Sequence, residues 1–395
     1  MTVTRAMVDQ ERLGDWSVDP GHGVYIHIPF CARRCEYCDF NTYEGQDQMH
    51  RPYVEALVSG IETFEPACEF PAATSVFFGG GTPTLLPPAT LGRVLHAVRN
   101  RIGIADGAEV TVEANPETVD ERAFAALLDV GFNRVSIGVQ SLVPHVLRGL
   151  GRTHSAARAL DALTAARRAG VGDLNADLIY GSPWETDADW SKSVTGIAGA
   201  EPDHVSCYAL TIEDATPLAT LVRTGRVADV DPDVQADRHE FADGVLGAAG
   251  YRRYEISNWA RPGYASRHNL LYWSAGNYLG FGAGAHGHVD GRRYWNVRLP
   301  RDFVERSRTK DGVEDGFEVL GPSERAGEAL MLGLRLASGI DLDHFARRFG
   351  NAAVEERAAT IETLLSKRLL EQNGARLRLS PRATMVANDV CSELL

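Results

Sequence analysis

YIHIPFCARRCEYCDF, residues 25–40, sets Cys31, Cys35 and Cys38 on a loop that follows a strand-like run and Pro29. Three thiolates on so short a loop can hold three irons of a [4Fe–4S] cubane and leave the fourth iron without a protein ligand. That open iron can accept the amino and carboxylate groups of S-adenosylmethionine (SAM). An electron passed from such a cluster to the sulfonium could then break the C5′–S bond. The bland alternative is structural zinc, which prefers four closed ligands in two separated pairs. Here His27 or His50 would have to complete the set, and the C-x3-C-x2-C spacing after a strand fits that poorly.

Outward from the loop, short β-branched or aromatic runs alternate with helical stretches, the pattern of βα units around a parallel sheet. Strands are predicted at Val24–Ile28, Ser75–Phe78, Val110–Glu113, Arg134–Val139, Asn175–Ile179 and His204–Leu210. Helices are predicted at Arg51–Phe64, Ala89–Arg101, Asp120–Val130, Ser155–Ala169 and Asp187–Ala200, several opened by Thr, Asp or Ser caps. The fold class is therefore α/β, a partial (β/α)6 barrel. Cys31, the Gly79–Thr82 run, Glu113, Gln140 with Ser141, and Asp177 all fall at or just after strand ends. In α/β barrels those ends and their loops form one functional face.

The remaining chain divides into a polar leader at 1–20, the barrel core at 21–210, an irregular Gly-rich extension at 211–322 and a C-terminal module at 323–395. The extension holds YLGFGAGAHGHVDG, and its topology is not legible from pattern. The module reads as three helices, the runs RLLEQ and RLRLS around Asn373–Gly374, and a final helix, an α+β region ending in a winged-helix-like unit. It lacks a dense Lys/Arg stripe, so an intramolecular or protein contact is expected rather than DNA.

Composition narrows the function classes. With 44% hydrophobic residues among 395 the chain can bury a large core, and its net charge of -13 opposes unaided attraction to phosphate backbones or anionic lipid. Nucleic acid is not an expected partner. No apolar run reaches the roughly 20 residues that span a bilayer, and MTVTRAMVDQERLGDW lacks a signal-peptide core, so a cytoplasmic location is expected. Of the six cysteines, Cys68, Cys207 and Cys391 lie apart from the loop and read as ordinary small residues rather than a disulfide framework.

The loop, together with GGGTPTLL, EANPETV, GFNRVSIGVQSL, LGRTHS, NADLIYGSPWET and HNLLYW, resembles the radical-SAM family of oxygen-independent coproporphyrinogen III oxidase and its haem-chaperone branch, from Tyr25 to the C-terminal module. The resemblance implies a [4Fe–4S] cluster on Cys31, Cys35 and Cys38, with SAM contacts at Tyr25, Tyr37, Gly80, Gly81, Thr82, Glu113, Gln140, Arg152 and Asp177. Ala209 and His286 align with outer SAM contacts. The residue types fit: carboxylates accept from ribose hydroxyls or an ammonium, and an arginine pairs with a carboxylate.

Within that family the oxidase pattern carries a fourth cysteine two residues past the third and a longer N-terminal extension. This chain has Cys38-Asp39-Phe40, and thirty residues precede Cys31. Both features weaken the oxidase assignment, and CDF matches the chaperone branch, as does HNxxYW at His268–Trp273, whose imidazole could ligate haem iron. The resemblance thus implies haem as cargo, haem-acceptor proteins such as respiratory enzymes, and an iron or haem donor protein. It also raises peripheral membrane contact and a homodimer. The alternatives are oxidative decarboxylation of coproporphyrinogen III and, on the same scaffold, a radical-SAM methyltransferase or cyclopropanase.

Overall fold

The computed structural model describes residue 16, residues 19–65 and residues 70–395, so Cys68 and most of the leader lie outside the described residues. The barrel core alternates strand and helix in chain order: β1 (His22–Ile28), α1 (His50–Glu62), β2 (Ala73–Gly80), α2 (Pro88–Arg101), β3 (Ile104–Ala114), α3 (Glu121–Asp129) and β4 (Arg134–Gln140). It continues with α4 (Pro144–Gly149), α5 (Ala156–Ala169), β5 (Leu174–Tyr180), α6 (Asp187–Ala200) and β6 (His204–Ala209). All six strands pair in parallel in that order, as a (β/α)6 arrangement requires. Helices cover the outer face, so the strands are buried on both sides and read as near-continuous apolar runs such as VYIHI.

Residues beyond 210 close neither edge into a ring but extend both. After α7 (Pro217–Arg223) and α8 (Pro232–Ala248), the antiparallel pair β7 (Arg252–Glu255) and β8 (Asn258–Ala260) adds to β6. Then α9 (Arg267–Trp273) leads into β9 (Asn277–Phe281), which lies parallel to β1, followed by antiparallel β10 (His286–Val289), β11 (Arg292–Asn296), α10 (Pro300–Arg306) and β12 (Glu314–Val319). The sheet order is β12-β11-β10-β9-β1-β2-β3-β4-β5-β6-β8-β7. Gly280, inside β9, has a steric reason: a Cβ there would sit 1.9 Å from the carbonyl oxygen of His286 at the start of β10.

The C-terminal region has its own core. It comprises α11 (Pro322–Gly333), β13 (Ile340–Asp341), α12 (Leu342–Phe349), α13 (Asn351–Glu355), α14 (Ala358–Ser366), β14 (Leu370–Asn373), β15 (Arg376–Leu379) and α15 (Ala387–Ser392). The three strands form a separate antiparallel sheet in the order β13-β15-β14. Trp16, from the stretch expected to be a polar leader, is 1% exposed and packs here against His344, Phe345 and Phe349. Arg348 ties the unit to the end of α9 by donating to the Ser274 and Ala275 carbonyls. Among the described residues, no helix is long and apolar enough to cross a membrane.

Candidate cofactor site

A cavity of ≈ 500 Å³ opens where β1–β6 end, and Cys31, Cys35, Cys38, Tyr37, Gly80, Gly81, Thr82, Glu113, Gln140, Arg152, Asp177 and Ala209 all line it. The cysteine loop is built to hold its shape. Phe30 is buried against Tyr53, and Phe30–Cys31 pairs in parallel with Tyr43–Glu44, which pins both ends. Inside the loop the Arg34 guanidinium donates to the Cys38 carbonyl at 3.1 Å, and the Glu36 amide and carbonyl bond to Leu150 and Leu218.

Each sulfur has a polar neighbour. Thr82 Oγ1 lies 3.9 Å from Cys31 Sγ, Thr42 Oγ1 lies 3.9 Å from Cys38 Sγ, and Arg152 Nη1 donates to Cys35 Sγ at 3.6 Å. Burial pushes the Cys31 thiol up to about 11 and raises that of Cys38, so loading with iron must displace protons. Among the described residues no three His, Cys, Asp or Glu side chains converge as ligands of a single ion. A cubane instead asks the three thiolates to bind three different irons. His27 and His50 are engaged elsewhere: His27 bonds the Asn41 carbonyl and Tyr25, and His50 lies against Phe30 and faces Asp47.

The other half of the cavity is acidic and underbonded. Glu113 accepts from the Gly80 amide at 3.0 Å, yet burial, and then the charge of Asp177, push its carboxyl up to about 8. Burial also raises Asp177, against hydrogen bonds from Ser136 and Asn175 at 2.7 Å. Gln140 Oε1 and Arg152 Nε are buried with no partner among the described residues. Gln140 holds φ at 64°, left-handed backbone for a residue with a Cβ, beside a bulge in the β4–β5 register. Two poorly solvated carboxylates, an orphan acceptor and an orphan guanidinium nitrogen suit a zwitterionic ligand with hydroxyl and ammonium donors and a carboxylate. SAM meets that description, so the residues present fit it.

The glycine run has a steric role beside its place on the cavity. Gly80 has φ +110°, and a Cβ there would lie 2.4 Å from the His27 ring, while one on Gly81 would lie 2.5 Å from the Phe30 carbonyl oxygen. The glycines thus let β2 end against the cysteine loop as well as open onto the cavity. Tyr25 and His286 line an adjoining cavity of ≈ 500 Å³ that shares Phe40, Gly80 and Glu113 with the first. Ser141 faces the core, bonding Ser193 and capping Val143.

His268, the expected haem ligand, has both ring nitrogens engaged. It is 1% exposed, with Nδ1 bonded to Ser75 at 2.9 Å and Nε2 to Tyr272 at 2.8 Å. Both nitrogens are therefore taken, and iron ligation requires breaking one of these bonds. Sequence reading missed Ser136, Ile179 and Tyr208, which line the cofactor cavity. For two of them the signal was present, because Ser136 lies two residues before Gly138 on β4 and Ile179 two after Asp177 on β5, so each shares a strand face with a cavity residue.

The Radical SAM superfamily model matches residues 25–195 and the HemN C-terminal domain model residues 320–386. A protein of Mycobacterium tuberculosis named heme chaperone HemW is 43% identical over 377 residues, 94% of each chain. The chain belongs to the HemW family of radical SAM proteins. A HemW of Lactococcus lactis is 31% identical over 95% of this chain and 97% of its own. Coproporphyrinogen III oxidase (HemN) from Escherichia coli, a radical SAM enzyme, superposes with a TM-score of 0.81 at 19% identity, covering 98% of this chain and 92% of that one, which establishes the shared fold. Membership of the HemW family makes a [4Fe–4S] cluster and SAM the cofactors of this scaffold.

Proposed function

We propose that the protein binds haem and passes it to acceptor proteins, with its cluster and SAM site supporting that task. The observation that carries this reading is likeness over 94% of both chains to a protein named heme chaperone HemW, with the radical SAM and HemN C-terminal regions in the same order. The residue at the oxidase's fourth cysteine position supports it: Phe40 is 63% exposed at the rim of both cavities.

In this reading Cys31, Cys35 and Cys38 hold the cluster, and Arg152, already bonded to Cys35 Sγ and to the Gly138 carbonyl, keeps Nε for a ligand carboxylate. Gly80, Gly81 and Thr82 form the floor, while Glu113, Asp177 and Gln140 accept from donors on the nucleoside side. Tyr25, Tyr37, Ala209 and His286 complete the walls, Tyr25 and His286 from the adjoining cavity. When bound, the cluster and SAM supply one-electron chemistry; the chain's own groups bind, orient and exclude water. Respiratory haem proteins as acceptors, an iron or haem donor, peripheral membrane contact, a homodimer and a cytoplasmic setting belong to the same proposal.

The test is spectroscopic titration with haem, followed by transfer to an apo-acceptor. Saturable binding with transfer is expected, and no saturable binding in wild type or His268→Ala would overturn the reading. The oxidase-like fold supplies the second reading. Anaerobic conversion of coproporphyrinogen III to protoporphyrinogen IX by the reconstituted protein would replace the first reading with this one.

A further inference from the structure

A separate cavity of ≈ 380 Å³ lies where the C-terminal unit meets α9 and the β9–β11 strands. Its walls are mostly flat and apolar, with Tyr272, Trp273 and Tyr278 from one side and Met331 and Phe349 from the other. Its charges do not balance, because the lining carries Arg293, Arg325 and Arg348 against one carboxylate, Glu328.

Arg293 is satisfied by Glu318 and Glu328, each at 2.7 Å. Arg348 is held by two backbone carbonyls and lies over the Phe349 ring, and no carboxylate pairs with it among the described residues. Burial, then the charge of Arg325, hold its guanidinium below the ordinary value, with the charges of Asp19 and Asp290 opposing. Arg325 has no side-chain hydrogen bond or ion pair among the described residues. Two guanidiniums without a carboxylate ion pair among the described residues, in a chain of net charge -13, mark a place for anionic groups. Trp273 Nε1 and Arg293 Nε, both buried and unpartnered, add donors without acceptors.

An occupant that satisfies these features is flat, apolar across its faces and carries two carboxylates on one edge. Resting on the haem-chaperone reading, we propose that this cavity is the cargo site, with Arg325 and Arg348 receiving the two haem carboxylates and the macrocycle lying among Tyr272, Tyr278 and Met331. The motif on α9 then works through its last two residues. His268 is a positioning residue whose Nε2 fixes the Tyr272 phenol, and Asn269 is engaged with Tyr254. Tyr272 and Tyr278 also line the cavity that reaches Glu113 and Gly80, so one layer of aromatic side chains separates cargo from the cofactor site.

The test is absorbance titration of the full chain, without cluster reconstitution, using haem and haem dimethyl ester as probes. Arg325→Glu, which breaks no hydrogen bond of the fold, is expected to weaken haem about tenfold or more while leaving the ester within about twofold of wild type. Met331→Trp, which fills the cavity, is expected to abolish binding of both probes while a separately cluster-reconstituted sample retains SAM binding. Wild type that binds haem, with neither variant altered, would place the cargo elsewhere and overturn this inference alone. Wild type that fails to bind haem would overturn the chaperone reading and this site with it.

Discussion

Glu113 offers a quantitative test of the cofactor site. Its carboxyl is pushed up to about 8 from the ordinary 4.5, by burial first and then by Asp177, with the Gly80 amide pulling the other way. At pH 7 about one side chain in ten is then ionised, and ionising the rest costs about 1.4 kcal/mol, rising to about 2.7 kcal/mol at pH 6. If the carboxylate accepts donors from SAM, the ligand prefers the ionised form. Affinity should therefore climb toward tenfold per pH unit between 6 and 8 and flatten above that. Glu113→Gln removes the titration. The α-amino group of SAM adds the same pH dependence to both proteins, so the quantity to measure is the difference in slope, by anaerobic calorimetry or equilibrium dialysis from pH 6 to 9. The ligand-free chain gives a check of opposite sign: an acid with a raised folded pKa is most stabilising below its unfolded pKa. Wild type should therefore lose stability relative to Glu113→Gln as pH rises from about 4.5 to 8, by at most about 4–5 kcal/mol. Parallel pH profiles for the two proteins, in binding and in urea unfolding, would refute the assignment.

Three further outcomes follow from the same geometry. Serine at Cys31, Cys35 or Cys38 should each abolish the reduced-cluster paramagnetic signal after reconstitution, whereas Cys207→Ser, at a fully buried core position, should retain it. Gly80→Ala forces a Cβ toward the His27 ring at a left-handed φ and should cost about 1–3 kcal/mol in urea unfolding. Arg134→Ala removes one partner of the buried ion pair with Asp173 and should cost about 3–5 kcal/mol, measured the same way, with no change in cluster content.

Much of the cofactor site was legible because its residues sit at strand ends whose strands are themselves legible. Val24–Ile28 and Arg134–Val139 announce β1 and β4 by composition, and Cys31 and Gln140 follow them directly. What stayed hidden depends on contacts between distant segments. The left-handed φ of Gln140 arises from a bulge against β5, and the reason for Gly80 is the His27 ring on a neighbouring strand. The 211–322 region resisted reading because β9 pairs with β1 across some 250 residues, a partnership that local alternation does not encode.

Spacing and periodicity alone determined the three-cysteine loop, the six parallel strands and the face on which their ends converge. Backbone propensity and hydrophobic period are local, and the loop needs only its own few residues to present three thiols. The tertiary structure alone decided that His268 spends both nitrogens on Ser75, 193 residues away, and on Tyr272, and that three arginines from separate elements meet around a separate cavity. Those facts are set by which surfaces pack together, and a side chain's free lone pairs and unpaired charges are known only once its neighbours are in place.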